Sequence, residues 1–245
     1  MAAVSSYSEE LGIYKIPFIL IGMLTPFIVS IFMIYGSGDN DIKADFKKRL
    51  LDVSLVKPEI WAFILLIMPV ALFLATSLSL LFGESSNQFM LAPELAASGS
   101  EIIIVLIILI LAPTFEELGW RGYGVDSLKS GRSVLKATIM FAILWDVWHW
   151  PLFAINGYYQ NELLSMHWAY ALNFILSIFP AAFLMNWVYY KAGRSILAII
   201  IMHMSLNLFS VMFQTEQFTK CIITFLLVGL SVVVFYTDRD MLMKE

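Results

Sequence analysis

The stretch IIIVLIILILAPTFEELGWR, residues 102–121, decides the fold class. It opens on an unbroken apolar run, 102–112, and closes on two glutamates and an arginine. The rest of the chain is built alike. Of the 245 residues 60% are hydrophobic and 14% charged, where a soluble domain is about half apolar and about a quarter charged. Mean hydropathy is +0.82. Apolar segments fall at 16–36, 61–82, 102–119, 137–153, 168–190, 195–213 and 221–236. A helix needs about 20 such residues to cross a bilayer, with about 17 as a lower bound. The expectation is an all-α polytopic membrane protein of seven spans, the last the shortest. Composition excludes a soluble enzyme, a disordered chain and a disulfide scaffold; Cys221 stands alone, so no disulfide and no cysteine metal cage forms. A net charge of −4 and a pI near 5.4 exclude a nucleic-acid partner.

Charge placement sets the expected orientation. Thirteen of the fifteen Lys and Arg residues fall in loops 37–60, 120–136 and 191–194 and in the C-terminal tail. The other side holds only Lys15 and Lys220. By the positive-inside rule the N-terminus is outside and the C-terminus cytoplasmic. Residues 1–15 carry Glu9 and Glu10 and a single basic residue, so the first segment reads as a retained span rather than a cleaved leader. In loop 37–60, Ile42, Phe46, Leu50 and Val53 recur at helical spacing beside Lys43, Lys47 and Lys48. That pattern predicts an amphipathic helix lying on the cytoplasmic leaflet. No internal repeat is evident, which counts against a transporter of inverted repeats.

Ionisable residues inside a bilayer cost about 2.5–3.5 kcal/mol each on insertion scales, so they are functional candidates. They concentrate in three segments. In the third, Arg121 follows Glu117 by four residues, about 40° around a helix, the favourable order for an ion pair. Glu116 lies about 140° from Arg121 and is left to face a cavity. In the fourth, Trp145 and His149 share a face, and Asp146 is placed to orient the imidazole or to pair with a base on another helix. In the sixth, His203 and Asn207 share a face. His167, beside Trp168, reads as interfacial, Asn173 and Asn186 as helix-packing polar groups, and Cys221 as an inert thiol.

A carboxylate and an imidazole can together deprotonate a water. A second imidazole and an amide can stabilise the oxyanion that follows. Glu116, Glu117, Arg121, His149, His203 and Asn207 therefore suit water addition to an amide or ester carbonyl. No nucleophile elbow and no HExxH occurs. The same side chains offer an alternative: Glu116, His149 and His203 would make a His₂Glu set for a divalent metal such as zinc, with one position open for water. Counted from the cytoplasmic ends, His203 lies at a depth of about 12 Å, His149 about 18 Å and Glu116 about 5 Å. A shared site then needs the third span to run past Arg121 and the third, fourth and sixth spans to be neighbours, around a cavity in the cytoplasmic half of the bilayer.

Three motifs in order, Glu116-Glu117-Leu118-Gly119-Trp120-Arg121, Trp145 to His149, and His203 to Asn207, resemble the CPBP intramembrane protease family. That family includes the type II CAAX prenyl endopeptidases and the bacteriocin-processing and immunity proteins. Arg121-Gly122-Tyr123 and Trp148-His149-Trp150-Pro151 add to the likeness, which covers roughly 98–210. The resemblance implies a multi-helix membrane protease opening to the cytosol. It assigns water activation to Glu116 and His149, oxyanion stabilisation to His203 and Asn207, and support to Glu117 and Arg121. Many members carry the label metalloprotease. Trp145 stands where the family usually has Phe.

The expected protein is thus one integral membrane domain over 1–245 with its catalytic core at about 98–210. It would be an endopeptidase of a bacterial-type plasma membrane, cutting a membrane-associated protein or peptide, lipidated or not, near the cytoplasmic face. Two rivals keep the same sequence features: a non-catalytic membrane binding, immunity or scaffold protein, and an ion or proton transporter using the buried charges. The lack of buried charges in the first, second, fifth and seventh segments counts against the transporter.

Overall fold

A computed structural model describes residues 15–96 and 100–244. Its long helices are α1 (Lys15–Gly36), α2 (Asn40–Leu51), α3 (Pro58–Ser79), α4 (Ser100–Gly119), α6 (Val134–His149), α8 (Trp168–Lys191), α9 (Ile196–Val211) and α10 (Gln217–Thr237). Shorter pieces are α5 (Val125–Lys129), α7 (Tyr159–Met166) and α11 (Arg239–Met243). Among the described residues the β pairing is confined to an isolated bridge between Leu91 and Phe213.

Local sequence sets the helix ends. Pro58 opens α3, at a position where no N–H is needed. The hydroxyl of Ser133 accepts from the Lys136 N–H at the start of α6, and that of Ser195 from the Ala198 N–H at the start of α9. Prolines sit inside α1, α3, α4 and α8. Neighbouring helices tolerate such interruptions within a membrane.

Five helical stretches are long and apolar enough to cross a bilayer: Ile16–Gly36, Pro58–Phe82, Val134–Ala154, Trp168–Lys191 and Gln217–Thr237. The chain is accordingly an integral membrane protein, all-helical apart from that bridge among the described residues. The last of these begins at Gln217, not near 221, which gives the segment expected to be shortest a full 21 residues. The sixteen-residue α9 is a shorter apolar helix. Polarity is inverted relative to a soluble fold. Leu66, Phe73 and Leu81 around α3 and Phe225, Val233 and Tyr236 on α10 are exposed, as lipid solvation permits. Arg121, Glu117 and Asn186 are fully buried.

Helix α4 is the centre of the arrangement, with α1 packed on one side and α9 on another. The α1–α4 approach depends on glycine. A Cβ on Gly119 would stand 2.4 Å from the carbonyl carbon of Pro26, and one on Gly122 would stand 2.8 Å from Ser30 Oγ. Helix α3 packs on α9 and α10, and α8 packs on α6, α9 and α10. On the side where α3 and α9 end, the Ala92 N–H donates to Met212 O and the Gln214 N–H to Met90 O.

The helix expected in loop 37–60 is α2, capped by Asp39, whose carboxylate accepts from the Asp41 and Ile42 N–H groups. Its setting differs from the expectation. Phe46 is buried, Ile42 and Leu50 pack against the core, and Val53 lies beyond the helix and is exposed. The apolar face therefore docks on protein rather than on lipid. The reason is Arg49, one turn from Phe46, which finds buried acceptors there.

Candidate active site

Helix α4 continues past Gly119 as a widened π turn, Trp120–Gly124, and then as α5. That continuation keeps Glu117 and Arg121 in register. Arg121 Nη1 donates to Glu117 Oε2 at 2.6 Å, with both side chains fully buried. Glu117 Oε1 lies 2.8 Å from His203 Nδ1. A carboxylate only accepts, so Nδ1 carries the proton and Nε2 of His203 points elsewhere. Both oxygens of Glu117 are thereby used. Arg121 Nη2 donates to Asn186 Oδ1 at 3.0 Å, and Asn186 Nδ2 donates to Thr138 Oγ1 at 3.1 Å. The Arg121 guanidinium also lies 4.5 Å from the centre of the Phe141 ring, an attraction worth about 2 kcal/mol when desolvated.

Glu116 is differently placed. Its Oε2 accepts from Trp145 Nε1 at 3.1 Å, and its other oxygen has no partner among the described residues. The side chain keeps 7% exposure, against none for Glu117. His149 Nδ1 donates to Trp145 O at 2.7 Å, because a carbonyl can only accept. Its Nε2 lone pair is then free to take a proton. The Trp145 ring centroid lies 5.6 Å from that of His149 and 5.5 Å from that of His203. One tryptophan therefore touches both imidazoles and fixes one glutamate. Helices α4 and α9 pack directly, while α6 reaches both through Trp145.

Asn207 lies one turn beyond His203 on α9, half-buried. Its carboxamide makes no hydrogen bond among the described residues, while its backbone carbonyl accepts from Ser210 Oγ. Asp146 does not orient His149. Its Oδ2 accepts from Trp150 Nε1 at 3.1 Å and its Oδ1 is unpartnered among the described residues. His167 is exposed and caps α8 by accepting from the Ala169 N–H.

Sequence reading names Asn186 and Trp145 without their partners, and it misses Tyr158 altogether. Asn186 is a partner of the buried guanidinium rather than a helix-packing group alone. Trp145 holds Glu116 through its indole N–H. Tyr158 lies in the turn after α6: burial, and then the Glu116 carboxylate, push its phenol above the usual value. No sequence motif marks Tyr158, because only the fold brings its turn towards Glu116.

The family model described as "Type II CAAX prenyl endopeptidase Rce1-like" matches residues 98–209. The chain is also similar to CAAX prenyl protease 2 of the archaeon Methanococcus maripaludis. Identity is 38% over 244 residues, spanning all of this chain and 89% of the relative. This chain belongs to the type II CAAX prenyl endopeptidase family.

A member of the type II CAAX prenyl endopeptidase family is a membrane endopeptidase, and the buried polar cluster of α4, α6 and α9 lies within the matched residues. The matches give no support to the bacteriocin-immunity branch or to the metalloprotease label. They do not support a bacterial attribution either, the relative being archaeal. The zinc alternative meets a geometric obstacle. Among the described residues no group of three or more His, Cys, Asp or Glu side chains is arranged to hold a metal ion. Glu116, His149 and His203 do not converge as a ligand set; Trp145 contacts both imidazoles and occupies one glutamate oxygen.

Proposed function

We propose that this endopeptidase hydrolyses a peptide bond of a membrane-associated, lipidated protein or peptide near the cytoplasmic face, with Glu116 and His149 activating the water. The observation that carries the reading is the inequality of the two glutamates. Glu117 is buried and saturated, while Glu116 has one oxygen fixed by Trp145 and one free. A carboxylate held on one side and open on the other can take a proton from water.

The sequence of steps follows from these groups. Water loses a proton to Glu116, with the free Nε2 of His149 as second acceptor for its hydrogens. The hydroxide oxygen bonds to the scissile carbonyl carbon, and the carbonyl π pair moves onto oxygen. His203 Nε2–H and the Asn207 carboxamide donate to that oxyanion. This requires His203 to carry both ring protons, and the Glu117 carboxylate at its Nδ1 is the counter-charge for that form. Collapse restores the carbonyl, breaks the C–N bond, and the proton held by Glu116 goes to the leaving amine. Glu117 and Arg121 hold His203 in position.

The same reading takes α1, α3, α4, α6, α8, α9 and α10 as seven spans, with the N-terminus outside, the C-terminus cytoplasmic, and the protein in a prokaryotic plasma membrane. The lopsided distribution of Lys and Arg supports it, as do the five long apolar helices. The relative's printed name supports a prenylated substrate.

The test uses purified protein in liposomes with a library of prenylated and unprenylated peptides, read by mass spectrometry. Wild type runs beside Glu116→Ala and His149→Ala, each with and without a chelator. The expected result is cleavage by wild type, a loss of at least about 100-fold in either variant, and no response to chelator. Wild-type rates in Glu116→Ala would overturn the assignment. So would a folded, inert wild type whose cellular phenotype survives Glu116→Ala, which would leave a binding protein.

A further inference from the structure

Arg49 lies outside both the three motifs and residues 98–209, while Arg121, Gly122, Asp126 and Tyr189, which it touches, lie within that range. Arg49 is on α2, more than seventy positions before the π turn, yet its side chain is only 6% exposed. Its Nη1 donates to Arg121 O at 2.7 Å and its Nη2 to Gly122 O at 3.0 Å. Nε bonds Asp45 at 2.7 Å, and Nη1 also reaches Tyr189 OH at 2.7 Å and Asp126 Oδ2 at 3.2 Å.

The backbone explains why a guanidinium is needed there. In an α-helix the Val125 N–H would bond the carbonyl four residues back, which is Arg121. It bonds Trp120 O instead, five residues back. The π turn thus frees the Arg121 carbonyl from the ladder. A buried carbonyl without a partner is costly; Arg49 Nη1 is the charged donor to it at 2.7 Å, beside Tyr189 OH at 3.1 Å. The residue so held is the one whose side chain grips Glu117, and Glu117 in turn grips His203.

We propose that Arg49 is a positioning residue of the catalytic site: by clamping the backbone of the π turn it sets Arg121, and through Glu117 the orientation of the His203 imidazole. The cytoplasmic helix α2 is then part of the catalytic apparatus rather than a membrane anchor. The inference rests on the protease reading above.

The experiment compares wild type, Arg49→Ala, Arg49→Lys and Lys48→Ala in liposomes, with the prenylated peptide the wild type cleaves. Folding is followed by thermal unfolding, and activity is expressed per folded molecule. Lys48→Ala removes the same charge from an exposed position of the same helix and should match wild type. Arg49→Ala should lose roughly 10- to 100-fold in kcat, the scale of a small misplacement near the chemistry, with KM within about twofold. Added guanidinium ion should restore part of that kcat in Arg49→Ala and do nothing for Lys48→Ala. Arg49→Lys keeps the charge but cannot bridge two carbonyls, so it should fall between the two, and it decides the question if Arg49→Ala does not fold. Wild-type kcat in Arg49→Lys, or in folded Arg49→Ala, would overturn the proposal.

A second readout needs no substrate. In histidine-labelled protein the His203 ring Nδ1–H resonance, assigned by its absence in His203→Asn, should shift or broaden in the Arg49 variants. An unchanged resonance would overturn the proposal as well. Failure of wild type to cleave any peptide would instead count against the protease reading alone, leaving the resonance to decide the role of Arg49.

Discussion

Replacing Arg121 by Met tests whether charge pairing, rather than packing, holds the centre of the fold. Met fills much of the volume of the arginine stem and removes the guanidinium. Glu117 would then keep only its contact with His203, in a place with no solvent access. Breaking a buried ion pair by deleting one partner costs about 3–5 kcal/mol, because the remaining charge is uncompensated. The lost contact with Asn186 Oδ1 and with the Phe141 ring falls within that range rather than adding to it, since the three share one group. With about 2–4 °C per kcal/mol for a chain of this size, the melting temperature should drop by roughly 6–20 °C. The assay is thermal unfolding in a single detergent, followed by tryptophan fluorescence.

The decisive comparison is the double variant Arg121→Met with Glu117→Gln. The carboxamide introduced by Glu117→Gln can still accept from His203 Nδ1–H while carrying no charge. If the penalty is the orphaned carboxylate, the double variant should recover all but about 1–2 kcal/mol, so it is more stable than Arg121→Met alone. A double variant as unstable as the sum of the two single ones would refute this reasoning. So would an Arg121→Met protein that melts with wild type.

Two further outcomes follow from the geometry. Gly119→Ala places a methyl group 2.4 Å from the Pro26 carbonyl carbon, where only backbone movement relieves the clash; it should cost at least about 1–3 kcal/mol, read as a lower melting temperature. Asp238, the residue after α10, accepts from Lys191 Nζ at 2.6 Å and Trp187 Nε1 at 2.8 Å. Burial raises its carboxyl pKa, but these bonds and the Lys191 charge outweigh that and hold it below its ordinary value of 3.8. The native state thus binds this proton less readily than the unfolded state, so the stabilisation is present above pH 3.8 and is lost as pH falls through the lowered native pKa. Melting curves of wild type and Asp238→Asn should therefore differ at neutral pH and converge below that value.

Contacts within one helix were legible and contacts between helices were not, and the reason is physical. The Glu117–Arg121 pair is fixed by helix geometry alone, four residues on one face, and it forms as spacing predicts. The same geometry separates Glu116 from Glu117 without any tertiary contact. Asp146 is the local exception: it lies near His149 by spacing, yet its carboxylate accepts from Trp150, four residues on, because the His149 Nδ1–H is already given to the Trp145 carbonyl. Asn186 looks like packing, and its worth depends on a guanidinium 65 positions earlier. Apolar spacing around Arg49 suggests a helix at the lipid surface, and periodicity cannot distinguish a face turned to lipid from one turned to protein.

Trp145 joins the two cases. Its place four residues before His149 was readable, and so was its departure from the usual Phe. Its bond to Glu116 was not. A Phe there would keep the ring contact with His149 and His203 but would leave Glu116 without that donor. The substitution therefore gives this chain a tether on the carboxylate that a phenylalanine cannot supply. Any comparison of Glu116 with its counterpart in a Phe-containing relative has to allow for that bond, since a hydrogen bond to a charged acceptor is worth about 1.5–3 kcal/mol.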